Sequence, residues 1–218
     1  LFKKANFLGV LNSVADAAFN KIESVIIYDE EENDLKSNSL LPNSFYSKKV
    51  TTYLDLIDHS GAEIDHSQPD AGCNIFTTSG TTKAPKFVLH SHRSISIHAS
   101  EVWRNLEPLI KSNAFFHTLP FCGVFGFNHF SAALSGARPN VIQSAFNAGE
   151  AIDLIDRHKV HYISATDDML LALLEADDRN PALPSLTCCG YGAFNLPPEE
   201  ITLRASARGI KLVGLYGM

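Results

Sequence analysis

From Phe115 to Leu215 the chain switches repeatedly between short β-branched or aromatic runs and stretches whose apolar residues recur three or four positions apart. That alternation confines the fold to strands and helices laid down in turn along the chain. Strands are expected at Phe115–Leu119, Asn140–Ile142, Val160–Ser164, Leu186–Cys189 and Ile210–Leu215. Helices are expected between them: Gly126–Leu134 stopping near Gly136, Glu150–Arg157, Met169–Glu175 capped by Asp167 or Asp168, and Pro197–Ala207 ended by Gly209. Upstream, the pattern predicts a helix over Ala5–Lys21, a strand at Val25–Tyr28, a polar surface connection over Asp29–Lys49, a short helix at Tyr53–Ile57 and a strand at Asn74–Thr77. Ser94–Leu109 places Ile95, Ala99, Val102 and Leu106 on one helical face. The expected class is α/β, with a mostly parallel sheet flanked by helices on both faces and ligands gathering at the strands' carboxyl ends.

Composition excludes several functions. The 218 residues are 45% hydrophobic, enough to bury a real core. A net charge of -6, with 18 scattered Lys and Arg residues, gives no basic stripe for nucleic acid. No apolar run approaches a membrane span and no leader is visible, so the cytoplasm is the default location. Cys73, Cys122, Cys188 and Cys189 have no C-x-x-C spacing and read as reduced, mostly buried thiols. His90 and His92 have no suitably spaced cysteine or carboxylate partner, so no metal site is expected.

The densest chemistry lies at Phe76–Lys86, at the end of the strand expected over Asn74–Thr77. Thr77, Thr78, Ser79, Thr81 and Thr82 bring five hydroxyls, Gly80 supplies backbone freedom, and Lys83 and Lys86 bring two ammonium groups. Such a loop grips phosphate: freed N–H groups and hydroxyls donate to its oxygens, and Lys86 adds a mobile positive charge. A Walker A loop would need glycine before the lysine and Ser or Thr after it, where this chain has Pro85 and Phe87.

The loop resembles the nucleotide-binding signature of the adenylate-forming superfamily, whose members include acyl-CoA synthetases, peptide-synthetase adenylation domains and luciferases. Thr78, Ser79, Gly80, Thr81, Thr82, Pro85, Lys86 and Val88 match its order, and His92 occupies the trailing histidine position. At the far end, Leu215-Tyr216-Gly217-Met218 looks like the start of the family's Tyr-Gly-x-Thr-Glu motif. The resemblance implies that residues 1–218 form part of a large AMP-binding N-terminal domain. The rest of that domain and a C-terminal lid domain would belong to a longer enzyme. It also implies ATP, Mg2+ and CoA as cofactors, with a small carboxylic acid as substrate and Lys86 and Thr81 as catalytic groups.

By the same resemblance, Gly190, Tyr191 and Gly192 border the adenine, Tyr216 stacks near it and Gly217 keeps the approach open. For Tyr191, an ordinary strand-to-helix turn is the competing role. Phe121, Cys122, Gly123 and Gly126 lie in a segment resembling the one that borders the carboxylate and the pantetheine tunnel. Gly123 stands where the family has a histidine. No residue from Thr118 to Gly136 is acidic, so nothing there pairs with a substrate ammonium, and an uncharged fatty or aromatic tail is expected. Phe125, Phe127 and Phe130 read as pocket or as core.

The implied reaction has two steps. A carboxylate attacks the α-phosphorus of ATP and expels pyrophosphate, and a thiol then displaces AMP. Loading of a carrier protein and a non-catalytic nucleotide-binding role remain the alternatives. Lys83 reads either as a second cation or as a solvated loop tip. His92 reads as a capping or packing residue rather than a substrate contact, and Phe87 is expected to pack beneath the loop.

Overall fold

In this computed structural model the described residues are 7–14, 16–28, 44–45, 48–57, 60–61, 67–78, 85–110, 114–177, 183–195 and 197–215. The chain divides into two compact units, Leu1–Asp65 and His66–Met218.

In the first unit the predicted helix over Ala5–Lys21 is instead two pieces, α1 (Phe7–Asn12) and a 3-10 turn at Asp16–Lys21. Strand β1 (Ser24–Ile27) pairs in parallel with β3 (Lys48–Thr52), which also pairs antiparallel with β2 (Ser44–Phe45). The end of the polar connection expected over Asp29–Lys49 is thus partly strand. Lys48 and Lys49 masked it, because this sheet is half-exposed and its sequence lacks a continuous apolar run. The short helix α2 (Tyr53–Ile57) falls where expected, and the Tyr53 ring meets Tyr28 edge-on at 5.5 Å.

The second unit begins with an antiparallel hairpin, β4 (Gly72–Thr78) and β5 (Lys86–Ser91), in which Thr78 pairs with Lys86 and Phe76 with Val88. Helix α3 (His92–Leu106) follows without a break, its first turn capped by Ser91 Oγ, which accepts from Ser94 N at 3.2 Å. Ser91, not His92, therefore caps this helix. Next come β6 (Phe115–His117), α4 (Val124–Ser135), β7 (Asn140–Ile142), α5 (Ala148–Arg157), β8 (Tyr162–Thr166), α6 (Asp167–Ala176), β9 (Cys188–Gly192), α7 (Pro198–Ser206) and β10 (Lys211–Gly214). Thr166 caps α6, with its hydroxyl accepting from Met169 N. Asp167 and Asp168, the expected caps, are that helix's first two residues.

Strands β6 to β10 make one five-stranded sheet, entirely parallel, in the order β10-β9-β8-β6-β7. Side chains alternate across a strand, so each strand feeds two cores. Phe116, Ile163, Ala165, Cys189 and Tyr191 pack with residues of α5, α6 and α7, including Ile155, Leu173 and Ile201. Phe115, Tyr162 and Cys188 point the other way, to Trp103, Leu106, Ala132 and Ala133 of α3 and α4. Burial on both faces is the demand a parallel sheet makes, and it fits helices on both sides.

Two glycines show how tight this packing is. Gly209, just past α7, has φ +74°, a backbone that side-chain-bearing residues rarely adopt. Gly136, capping α4, lies flat against the Trp103 ring, and any Cβ there would overlap it. The Arg138 guanidinium covers the same ring, 5.0 Å from its centroid. Gly136→Ala should therefore cost about 1–3 kcal/mol through overpacking. Urea titration of the variant would check this, and an unchanged midpoint would show that the ring yields freely.

Candidate functional site

Geometry gathers the sequence-predicted segments around the first two turns of α4. Phe127, on its second turn, lies 5.3 Å from Phe76 of β4, so the middle of the hairpin rests on this helix. Phe125, on its first turn, lies beside Gly192, where a Cβ would stand 3.4 Å from its ring. On the far side of β9, Leu215 N donates to Tyr191 O at 2.9 Å, which brings the chain alongside Tyr191 immediately before Tyr216.

Thr78 ends β4, half-buried, and faces Lys86 across the hairpin. Lys86 opens β5 and is exposed. Ser79, Gly80, Thr81, Thr82 and Lys83, with Tyr216 and Gly217, lie outside the described residues. Phe87 corrects an expectation. It does not pack beneath the loop but is 76% exposed on the outer face of the hairpin, across from Thr77. The strand β5 itself was missed, because its Lys-Phe-Val-Leu-His-Ser run reads as the tail of the phosphate loop.

Gly190, Tyr191 and Gly192 are likewise not in a loop after the strand; they are its last three residues. Gly190 is glycine for an internal reason: the Tyr162 hydroxyl occupies the place of a Cβ, and Leu215 Cδ1 lies 2.9 Å away. The Tyr191 ring packs in the α5–α7 core, and its buried hydroxyl has no hydrogen-bond partner among the described residues. Phe121 stacks on Phe130 at 4.4 Å. Cys122 and Gly123 are exposed, with Gly123 at the N-cap of α4. Gly126 is buried because the Leu119 and Pro120 carbonyls approach within 2.7 Å and 2.6 Å of where a Cβ would sit. Cys188 and Cys189 are buried, whereas Cys73 and Cys122 are exposed, so only half of the thiols lie inside.

Sequence reasoning missed two features that organise this region. The first is Asp167, fully buried, whose carboxylate accepts from Phe194 N at 2.8 Å, Asn195 N at 2.5 Å and Asp168 N at 3.0 Å. It fixes the turn that leaves β9. Its only sequence signal, an acidic pair at a helix start, points to capping instead.

The second is a buried aromatic and imidazole cluster. His117 Nε2–H donates to Asn140 Oδ1 at 2.6 Å, and the amide is oriented by its own bond to Arg138 O at 3.0 Å. His129 Nδ1–H donates to Phe125 O at 3.1 Å, and its ring stacks on Tyr162 at 5.4 Å. Burial drives both histidines down to about 4, outweighing the bonds that favour their charged forms, so both are neutral at pH 7. Burial likewise pushes the Tyr162 phenol up.

A surface hollow of about 390 Å³ lies between α6 and α7, lined by Leu174, Glu175, Asp177, Arg204, Ala207 and Arg208. Its charges already serve the fold: Arg204 pairs with Glu175 at 2.9 Å and Glu200 at 2.8 Å, and Asp177 accepts from Leu183 N. It collects none of the motif residues. Among the described residues no three His, Cys, Asp or Glu side chains gather to hold a metal, and no helix is long and apolar enough to cross a membrane.

The chain belongs to the AMP-binding enzyme family, whose profile matches residues 6–218. It is 27% identical over 195 residues to the 2-succinylbenzoate–CoA ligase of Bacillus subtilis, covering 85% of this chain and 39% of that one. It is 24% identical over 201 residues to the 2-methylpropanoate–CoA ligase of Humulus lupulus, covering 88% and 34%. Among solved structures, o-succinylbenzoate CoA synthetase from Bacillus subtilis bound to a product analogue matches with a TM-score of 0.66 and 25% identity, over 78% of this chain and 35% of that one. The chain therefore spans well under half the length of these relatives.

Two outcomes are expected. The unfolded chain takes up protons on His117 and His129 near 6.5, whereas the folded chain resists until about 4. Stability should be full above pH 6.5 and fall as pH drops toward 4, by up to about 1.4 kcal/mol per unit for each histidine. Denaturant titrations at neutral and mildly acidic pH would check this, and a His129→Gln chain with an unflattened slope would exclude that ring. Asp167→Ala, which orphans the N–H groups of Phe194 and Asn195, should cost on the order of 3 kcal/mol, with Asp167→Asn milder. Equal midpoints for Asp167→Ala and the natural chain would contradict the clamp.

Proposed function

We propose that the protein carrying this chain activates a carboxylic acid with ATP to an acyl-adenylate and passes the acyl group to CoA. In this reading residues 1–218 are part of its large AMP-binding domain. The observation that carries it is the pairing of Thr78 with Lys86 at the mouth of the hydroxyl-rich loop, within a chain that belongs to the AMP-binding family. Support also comes from relatives named as CoA ligases for an aromatic acid and for a short branched one. A synthetase of the same fold has been solved with ATP and magnesium, and another structure holds an acyl-adenylate.

The chemistry follows from what each group can do. A carboxylate is a poor acyl donor, so its oxygen first attacks the α-phosphorus, and the electron pair of the broken P–O bond leaves with pyrophosphate. Lys86, exposed at the strand start, and the hydroxyls from Thr78 through Thr82 would stabilise that departing charge, with Lys86 and Thr81 as the catalytic groups in this reading. A CoA sulfur then attacks the acyl carbon, and AMP leaves with its phosphate oxygen. Gly190, Tyr191, Gly192, Tyr216 and Gly217 would flank the adenine, and Phe121, Cys122, Gly123 and Gly126 the acid. When bound, magnesium would neutralise charge on the phosphates, and in this reading Thr78 and the loop hydroxyls after it lie on the side from which it would be held. In this reading the acid is fatty or aromatic, supported by the first turn of α4, which carries no acidic residue to pair with an ammonium.

Full-length protein supplied with ATP, CoA and a panel of fatty and aromatic acids should yield CoA thioesters by mass spectrometry, while residues 1–218 alone should give no pyrophosphate exchange. Lys86→Ala should lower kcat/KM for ATP about 100- to 1,000-fold. Because Lys86 is exposed, its thermal midpoint should stay in place. Less than a threefold loss would remove Lys86 from the phosphate site, and absence of any thioester would favour a carrier-protein acceptor or a purely binding role.

A further inference from the structure

The chain bends where β9 ends, and that bend is held from within by the start of α6. Asp167 Oδ2 accepts from both Phe194 N and Asn195 N, and Asn195 Nδ2 donates to Asp168 Oδ2 at 2.6 Å. Two neighbouring carboxylates thus hold one bend at three points. A trans peptide points its carbonyl opposite to its N–H, so the carbonyls of Ala193 and Phe194 face away from Asp167.

The same restraint places the Phe194 side chain. Its ring lies back over the end of β9, with Cε2 2.8 Å from where a Gly192 Cβ would stand, and Phe125 of α4 approaches that point to 3.4 Å. Gly192 therefore makes room for two rings. Phe125 is half-buried, whereas Phe194 is 68% exposed. One edge of an apolar ring is thus seated on the sheet, and the rest stands open at the carboxyl end of a parallel strand, where ligands of such sheets gather.

We propose that Phe194 is the surface on which the purine base of the nucleotide stacks, held in place through the backbone by Asp167. The inference rests on the proposed function, which sets the adenine beside Gly190–Gly192, and it moves the contact from bare glycine backbone to this ring. A flat ring with an open π face fits a flat heterocycle. The outward carbonyls of Ala193 and Phe194 can accept from an amino group on that heterocycle but repel the oxygens of a phosphate or a carboxylate. The Asp167 carboxylate behind them adds to that repulsion. A base satisfies these conditions, and neither the triphosphate nor the acid's carboxylate does.

The test titrates full-length protein with AMP and, separately, with inorganic pyrophosphate by calorimetry, and follows KM for the acid alongside. Phe194→Leu keeps an apolar side chain but removes the π face, and should weaken AMP binding about fivefold or more. Phe194→Tyr keeps the ring and should bind AMP within about twofold of the natural protein. Pyrophosphate affinity and KM for the acid should stay unchanged in both variants, a split that a general loss of structure would not produce. Because the side chain is mostly exposed, both variants should fold. Unchanged AMP affinity in Phe194→Leu overturns the proposal; a lowered thermal midpoint in that case means the ring packs against another part of the protein, and a raised KM for the acid means it belongs to the acid site. Equal losses for AMP and pyrophosphate overturn it in favour of a structural role. Natural protein that binds AMP but forms no CoA thioester overturns acid activation alone, and the same affinities still decide the stacking. Natural protein that binds no AMP overturns both.

Discussion

A parallel strand must be covered on both faces, and in this chain that single demand sorts nearly every large side chain. Within β6, β8 and β9, neighbouring residues take opposite sides: Phe115 and Phe116, Tyr162 and Ile163, Cys188 and Cys189. One side is a conventional aliphatic core under α5, α6 and α7, with Ile155, Leu170 and Leu173 essentially inaccessible. The other is aromatic and partly polar, built from Trp103, Phe115, Tyr162 and the neutral His117 and His129. The second side keeps small residues, Gly190 and Gly192, among the last three of β9, whereas on the first that strand carries Cys189 and Tyr191.

Helix α4 is the meeting point. Its first two turns touch the hairpin through Phe127 and lie beside β9 through Phe125, so three distant stretches of sequence share one neighbourhood. Asp167 adds a tether from β8 to the turn leaving β9, replacing water around several N–H groups with one carboxylate. Such a tether holds the turn in place without filling the space above it.

The alternation of elements was readable because a buried parallel strand shows as an apolar run and a two-sided helix as a 3.6-residue stripe. Asn140–Ile142 falls where the pattern puts it, and α2, α5 and α7 begin or end within two residues. The misses share a cause. Strands β3 and β5 belong to half-exposed pairs, so their lysines and histidines hide the strand signal, and Phe87 looks like core only if its neighbours are taken for a loop. At the candidate site, residue types and motif order were legible, but partner choice was not. Nothing local tells that Asp167 reaches Phe194, or that Gly190 is small because a tyrosine 28 positions earlier lies against it.

The distribution of sulfur has a practical side. Cys188 and Cys189 are sealed in the sheet, and burial holds the Cys189 thiol far from ionisation, so alkylating reagents have nothing to attack there while the sheet is intact. Cys122 stands in the open one residue before the α4 cap, and Cys73 at the foot of the hairpin. The molecule thus carries two built-in attachment points for a fluorophore or spin label, one on the hairpin and one beside α4, with the two inner sulfurs silent until the protein unfolds.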